Sequence, residues 1–462
     1  MGKRFHILTF GCQMNANDSA WLARALAAGG HVPVPREEAD LHILNTCSVR
    51  AKPENKVYTE LGRIRLLARK HPEREILACV GGCVAQQLGE KLFARSRELR
   101  LLFGADGLTA APEAIEHLFR HPDQKLALLD FSPGYPERRT FPGAEEPVAL
   151  VNIMQGCDNF CAYCIVPLTR GRQKSRQSAD VLKECRARIA GGAREITLLG
   201  QNVNSFGQDS QGDGTSFTGL LEQVSALPGL ARLGFMTSHP KNMPPELIQA
   251  FGRLPALAPR LHLPLQSGSD RILRAMGRGY TRDAYMKILG SLRRVRPDIQ
   301  ISTDIITGFP GESENDFRKT LEIMREADFC ASFSFAYSDR PGTKAGALPD
   351  KVPAALALER LARLQDWQNQ NSRRILAARH GQKAWVLLEG PSLKEPFPEN
   401  NPAGAADSAQ GKRRSWHGRE EHGFSVNLLI PDSLRPAPGD LLEAVITGHG
   451  RHTLKAALSK SC

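Results

Sequence analysis

The chain has 462 residues, too many for one compact core, and its length suggests about three domains. Hydrophobic residues make up 41% and charged residues 24%, the balance of a soluble globular protein, and the short apolar runs exclude a transmembrane span. Lys and Arg number 61 against 49 Asp and Glu, a net charge of +12 that suits a polyanionic partner such as nucleic acid.

The amino terminus enters a strand-like run without a signal-peptide pattern, which points to a cytoplasmic location. In that compartment ten cysteines are read as ligands or buried thiols rather than disulfides. Residues 4–10 read as a strand and Ala20–Ala27 as a helix, with Asp18 or Ser19 placed to cap it. Leu41–Asn45, Glu75–Val80 and Leu101–Gly104 are further strands, and a basic helix runs through Leu61 to Lys70. This β/α order implies a doubly wound parallel sheet over residues 1–131. Cys12, Cys47 and Cys83 each follow a strand, at intervals of 35 and 36 residues. Strand carboxyl ends share one edge of such a sheet, so three thiols converge there. Cys79 lies inside a strand and reads as an inert buried thiol.

Residues 132–146, rich in Pro, Gly and charge, form a linker. From 147 to 376 six β/α units, with strands at 148–154, 195–200, 232–236, 260–265, 299–306 and 332–337, read as a partial parallel barrel. Just past its first strand stands Cys157-Asp-Asn-Phe-Cys161-Ala-Tyr-Cys164. Three thiols in one tight loop hold three irons of a [4Fe–4S] cluster and leave the fourth open to a small molecule. The competing reading is a zinc knuckle, although no second pair follows at similar spacing. Arg170, Arg172, Lys174 and Arg176 crowd positive charge after this loop, which suits a carboxylate or an RNA backbone. Residues 377–462 carry short strands at 382–389, 424–430 and 441–446, a small OB-like β-barrel with a disordered insertion at 391–417. The basic run 412–414 reads as solvent-facing, and Cys185, Cys330 and Cys462 match no motif.

The stretches TFGCQMNANDS (9–19), LNTCSVR (44–50), GGCVAQ (81–86), GCDNFCAYCIVPLTRGRQKSR (156–176), LLGQNVNSFG (198–207), HLPLQSGSDRILRAMGRGYTR (262–282) and TGFPGE (307–312) span nearly the whole chain. Together they resemble the radical S-adenosylmethionine (SAM) methylthiotransferase family, and the GCQMN form is similar to the branch acting on isopentenyladenosine beside the tRNA anticodon. The resemblance implies two [4Fe–4S] clusters, on Cys12/Cys47/Cys83 and on Cys157/Cys161/Cys164, and two SAM per turnover. One SAM would be cleaved to a radical that takes the adenine C2 hydrogen, and the other would methylate the sulfur to be inserted. Tyr163, Gln201, Asn202, Gln266, Ser267, Gly308 and Gly311 are the expected SAM contacts, with His239 and His262 as weaker candidates, while Glu312 reads as a carboxylate favoured at a helix N-terminus. Expected partners are the tRNA anticodon stem-loop and an electron donor such as flavodoxin or ferredoxin, with no membrane, the chain acting as a monomer. The carboxy-terminal barrel resembles the RNA-binding TRAM domain, though Glu420 follows Gly418-Arg419 where that family has Thr. Alternatives are a ribosomal-protein aspartate or threonylcarbamoyladenosine as substrate, or a zinc-stabilised RNA-binding protein without catalysis.

Overall fold

The computed structural model describes residues 2–48, 52–141, 146–392 and 413–459. In the first module β1 (Arg4–Thr9), β2 (Val32–Pro33), β3 (Leu41–Thr46), β4 (Leu77–Gly82), β5 (Leu99–Phe103) and β6 (Leu126–Leu128) form one sheet. Its order is β2-β1-β3-β4-β5-β6 and every ladder is parallel. All residues of β3 and β4 are buried because helices cover both faces. The chain reverses direction across the sheet between β1 and β3, the switch point where ligands settle in doubly wound folds.

One expectation needs correcting here. The first helix spans Gln13–Ala28 and its N-cap is Cys12, so Asp18 and Ser19 lie inside the helix and cap nothing. Its opening turns carry Asn15, Asn17, Asp18 and Ser19, residues with weak helix preference, all buried. Tertiary hydrogen bonds hold three of them: Asn15 Nδ2 donates to the Thr46 carbonyl at 3.0 Å, Asn45 Nδ2 to the Ser19 hydroxyl at 2.9 Å, and Arg138 Nη1 to Asp18 Oδ1 at 2.8 Å.

The second module begins at β7 (Val148–Asn152), followed by a small antiparallel pair, β8 (Met154–Gln155) and β9 (Lys174–Ser175). Five more strands follow: β10 (Glu195–Leu199), β11 (Arg232–Phe235), β12 (Arg260–His262), β13 (Gln300–Thr307) and β14 (Ala331–Ala336). They pair in parallel as β11-β10-β7 and β12-β13-β14, linked by a bridge between Leu233 and Leu257. This is the incomplete barrel the sequence suggests. Ile301, Thr303, Ile305 and Thr307 of β13 are buried, while Ser302, Asp304 and Ile306 alternate with them and are only half-buried.

The third module is a closed five-stranded barrel of β15 (Lys383–Pro391), β16 (Arg413–Arg419), β17 (Ser425–Pro431), β18 (Leu441–His449) and β19 (Thr453–Leu458), in the order β15-β16-β17-β19-β18. Only β17 and β19 run parallel, which gives a Greek-key barrel of the OB type. The insertion expected at 391–417 is narrower than the sequence suggests. Pro391 ends β15, residues 413–417 belong to β16, and 393–412 lie outside the described residues, as does Cys462. This barrel docks on the amino-terminal ends of the second module's strands. Arg232, the first residue of β11, reaches the carbonyls of Trp385 (3.1 Å) and Arg419 (3.2 Å), and His422 meets Asp298 at 3.2 Å. The first module packs against the opposite, carboxyl-end face.

Candidate metal and cofactor centre

The first site lies at the switch point. Cys12 ends the turn after β1, Cys47 follows β3, and Cys83 opens the helix Cys83–Leu88 directly after β4. Two glycines permit this convergence. Gly82 sits at φ 85° and ψ −155°, a region open almost only to glycine, and a Cβ there would stand 2.3 Å from the Thr46 carbonyl oxygen. A Cβ on Gly11 would meet the Cys47 Cβ at 2.6 Å. The thiols sense one another: Cys47 contact and the Arg170 guanidinium bring Cys12 down to about 6. Cys83 is held well below the ordinary thiol value by Cys47 and then by Arg170 and Thr169, while Cys47 is pushed upward by its two sulfur neighbours. Two thiols biased toward thiolate beside a buried cation are a donor set suited to iron. Cys79 is fully buried and its thiol is raised by that burial, an inert group.

The second site is the loop 156–165. Gly156, at φ 78°, passes so close to Arg172 that a Cβ would fall 2.0 Å from its carbonyl oxygen. Cys161 receives two donors, Arg278 Nη1 at 3.4 Å and His239 Nε2 at 4.0 Å. The Lys241 backbone N–H donates to His239 Nδ1 at 3.2 Å, which leaves the ring proton on Nε2, aimed at the sulfur. Burial, then Arg278 and Lys241, lower His239 to about 2, so the ring stays neutral. Burial pushes Cys164 up to about 12, with Cys161 and Cys157 adding to it. Tyr163, within this loop, accepts from Arg278 at 3.3 Å. Arg278 lies within a quoted motif but carries no local signal in the sequence, and only the fold brings it to Cys161.

Neither cysteine triad is drawn in as tightly as a single zinc would draw it. Among the described residues, the one group of His, Cys, Asp or Glu whose ligand atoms all lie within 4.8 Å of one another is Glu420, Glu421 and His422. A single zinc with Zn–S near about 2.3 Å draws its thiolates that close, whereas thiolates on separate irons stand further apart. The Glu420 group is already engaged internally. Glu420 is fully buried and accepts from His422 (2.7 Å), Arg379 (2.9 Å) and the Phe424 N–H (3.0 Å). The residue that departs from the TRAM pattern therefore closes a structural ion cluster.

Gln201 joins the two sites: its Oε1 accepts the Gly156 N–H at 2.6 Å and its Nε2 touches the Met14 sulfur on the first module. Asn202 is buried, donates to Ser205 and Asn242, and leaves its Oδ1 without a partner. Ser238 Oγ and Gln155 Oε1 are likewise buried and orphaned, Asn202 and Ser238 on loops and Gln155 at the end of β8, all at the barrel's open end. Buried polar atoms left unpaired are costly unless a ligand completes them. Ser238 is absent from the expected SAM contacts. Gln266 holds φ 75°, and Phe160 (46°) and Thr237 (71°) share this left-handed strain at the same mouth, where strained residues gather around function.

Other expectations meet a different outcome. Ser267 faces inward to Thr320. The Gly308 N–H is taken by the Glu312 carboxylate and the Gly311 N–H by the Asp350 carbonyl, so neither is free to contact a ligand. His262 bonds Ser302 at 3.0 Å and stands 3.4 Å from Asp304 inside the barrel wall. Of the four clustered cations, three are buried in ion pairs: Arg170 with Asp18 (3.5 Å), Lys174 with Asp106 (2.6 Å) and Arg176 with Glu184 (2.6 Å). Only Arg172 is exposed, paired with Asp158 at 2.7 Å and lying 5.0 Å over the exposed Phe160 ring.

Residues 4–104 match the family model described as uncharacterized protein family UPF0004, and residues 151–324 match the radical SAM superfamily. Along 98% of its length the chain is 55% identical to a tRNA-2-methylthio-N(6)-dimethylallyladenosine synthase of Oleidesulfovibrio alaskensis, covering 97% of that protein. The chain belongs to the tRNA-2-methylthio-N(6)-dimethylallyladenosine synthase family of radical-SAM proteins. Family members from Nitratidesulfovibrio vulgaris (55% identity, 98% of each chain) and Lawsonia intracellularis (46%, 98% of each) align equally fully. Among solved structures, the radical SAM methyltransferase TsrM of Kitasatospora setae shares the fold, with a TM-score of 0.55, 15% identity and 75% of each chain covered.

Proposed function

We propose that this enzyme inserts a methylthio group at C2 of N6-isopentenyladenosine next to the anticodon of tRNA, using two [4Fe–4S] clusters and two SAM per turnover. The observation that carries this reading is the pairing of two three-cysteine sites on facing ends of two α/β modules, joined through Gln201. When bound, the clusters and SAM supply radical and sulfur-transfer chemistry at a C–H bond that no side-chain base can deprotonate.

The chain's own residues do the rest. Cys157, Cys161 and Cys164 hold one cluster, and Arg278 and His239 direct N–H groups at Cys161. Cys12, Cys47 and Cys83 hold the other. Asn202 Oδ1 and Ser238 Oγ are acceptors suited to the ammonium or hydroxyls of SAM, and Gln201 orients the loop that carries Gly156. The exposed pair Phe160 and Arg172 suits a splayed base and its phosphate, because a ring face stacks on any base and a guanidinium pairs with phosphate. The carboxy-terminal barrel grips the RNA stem as a TRAM-like module. A cytoplasmic monomer fed electrons by a flavodoxin or ferredoxin completes the reading; among the described residues no helix is long and apolar enough to cross a membrane.

Nucleosides digested from tRNA of a deletion strain test the proposal. The 2-methylthio-isopentenyladenosine peak should vanish and isopentenyladenosine should accumulate. An unchanged peak, or loss of a methylthio group from a ribosomal protein or from threonylcarbamoyladenosine, assigns a different substrate.

A further inference from the structure

Arg170 belongs to the barrel module, yet its side chain ends in the other module's cysteine site. That side chain is 3% exposed, and its Nη2 lies 3.5 Å from Asp18 Oδ2. Its other neighbours are the Cys83 and Cys12 thiols, brought near because the helix Cys83–Leu88 packs against the short helix Val166–Thr169 that ends just before Arg170. Neither Nη atom has a hydrogen-bond partner, oxygen or sulfur. Asp18 does not satisfy it, being shared with Arg138 Nη1 at 2.8 Å and Asn152 Nδ2 at 3.3 Å. Two buried guanidinium groups thus face one carboxylate, and the surplus positive charge stands against the thiols. A buried cation with open donors is expensive unless it serves an anionic acceptor, and the acceptors in reach are sulfur atoms.

We propose that Arg170 is a positioning residue whose buried, unpartnered guanidinium stands beside the Cys83 thiol and raises the reduction potential of the cluster held by Cys12, Cys47 and Cys83, with Asp18 moderating its charge. The inference rests on the reading of that triad as a cluster site. Adding one electron makes such a group more negative by one charge, and a fixed neighbouring cation stabilises the reduced form more than the oxidised one. Asp18 acts in the opposite sense, so the two residues should move the potential in opposite directions. A purely structural role would not separate them.

The test uses the full-length chain with Cys157, Cys161 and Cys164 replaced by Ala, so that only the amino-terminal site is loaded. Dithionite titration with mediators, followed by electron paramagnetic resonance, reads the potential. Arg170→Gln should shift the one-electron equilibrium against reduction at least tenfold, which is 59 mV. Arg170→Lys should shift it less, and Asp18→Asn should shift it the other way. About four irons per chain in the parent establishes the cluster; absence of iron there sinks the cluster reading itself. Iron present with an unchanged potential in Arg170→Gln overturns the proposal. If Arg170→Gln cannot be loaded, Asp18→Asn decides, and an unchanged or lowered potential in that variant overturns it.

Discussion

Gly82 links the fold to the amino-terminal site most directly, and Gly82→Ala puts that link under strain. The residue holds a backbone conformation that is essentially glycine-only, which costs any other residue about 1–3 kcal/mol. The new Cβ would also lie 2.3 Å from the Thr46 carbonyl oxygen, a backbone atom that cannot rotate away. Gly82 and Thr46 are register partners on neighbouring strands, and each directly precedes a cysteine of the proposed cluster site. Relief to an ordinary contact separates the strand ends by about 1 Å, enough to misplace Cys47 against Cys83, since sites tolerate only about 0.5 Å. After anaerobic reconstitution the parent should hold about eight irons and the variant about four, with the barrel cluster's signal intact. Gly290→Ala is the control. It lies within the helix Arg282–Val295 with no atom near its added Cβ, and it should gain about 0.5–1 kcal/mol with no loss of iron. A Gly82→Ala protein that keeps its full complement of iron and sulfide would refute the reasoning.

Burial raises Glu312 to about 7, above its unfolded value, so the neutral form is favoured and its stabilisation fades as pH climbs through about 7. Glu312→Gln, which can still accept the Gly308 N–H, should lose that dependence and denature later than the parent at pH 8 but not at pH 5; equal midpoint shifts at both pH values would contradict this. Lys174→Met leaves Asp106 buried without its cation and should cost about 3–5 kcal/mol in denaturation free energy, whereas a neutral result would mean the pair contributes nothing to docking the modules. Phe160→Ala should weaken binding of an anticodon stem-loop by about 1–3 kcal/mol with little change in salt slope, and Arg172→Gln should lower the slope by about one. Titrations at two salt concentrations separate the two effects, and identical slopes in both variants would remove Arg172 from the phosphate path.

Periodic segments were legible in the sequence, while features that depend on distant partners were not. The six barrel strands and the helix Ser178–Ala190 are evident from apolar runs and turn residues. The first helix starts seven residues earlier than its apolar pattern suggests, because Asn15 and Asp18 are stabilised by groups from β3 and the linker rather than by helix propensity. The stripe from Arg170 to Arg176 reads as a surface, yet Lys174 meets a carboxylate 68 positions away and Arg170 inserts into another module. The strands β16 and β19 escaped notice because charged residues and glycine dilute their alternation. Orphaned atoms such as Ser238 Oγ have no sequence signature at all, being defined by what fails to reach them.

The small barrel is fastened where the parallel strands begin, while the cysteine sites open where they end. Along β13, whose eight residues are separated by rises of about 3.3 Å, that separation is about 23 Å. An RNA held by both ends must therefore be long enough to bridge them, lying along the outside of the molecule like an object against a gauge. Trimmed fragments that present the right base but lack the reach would be seized at one end only, so selection would act on length as well as on the modified letter.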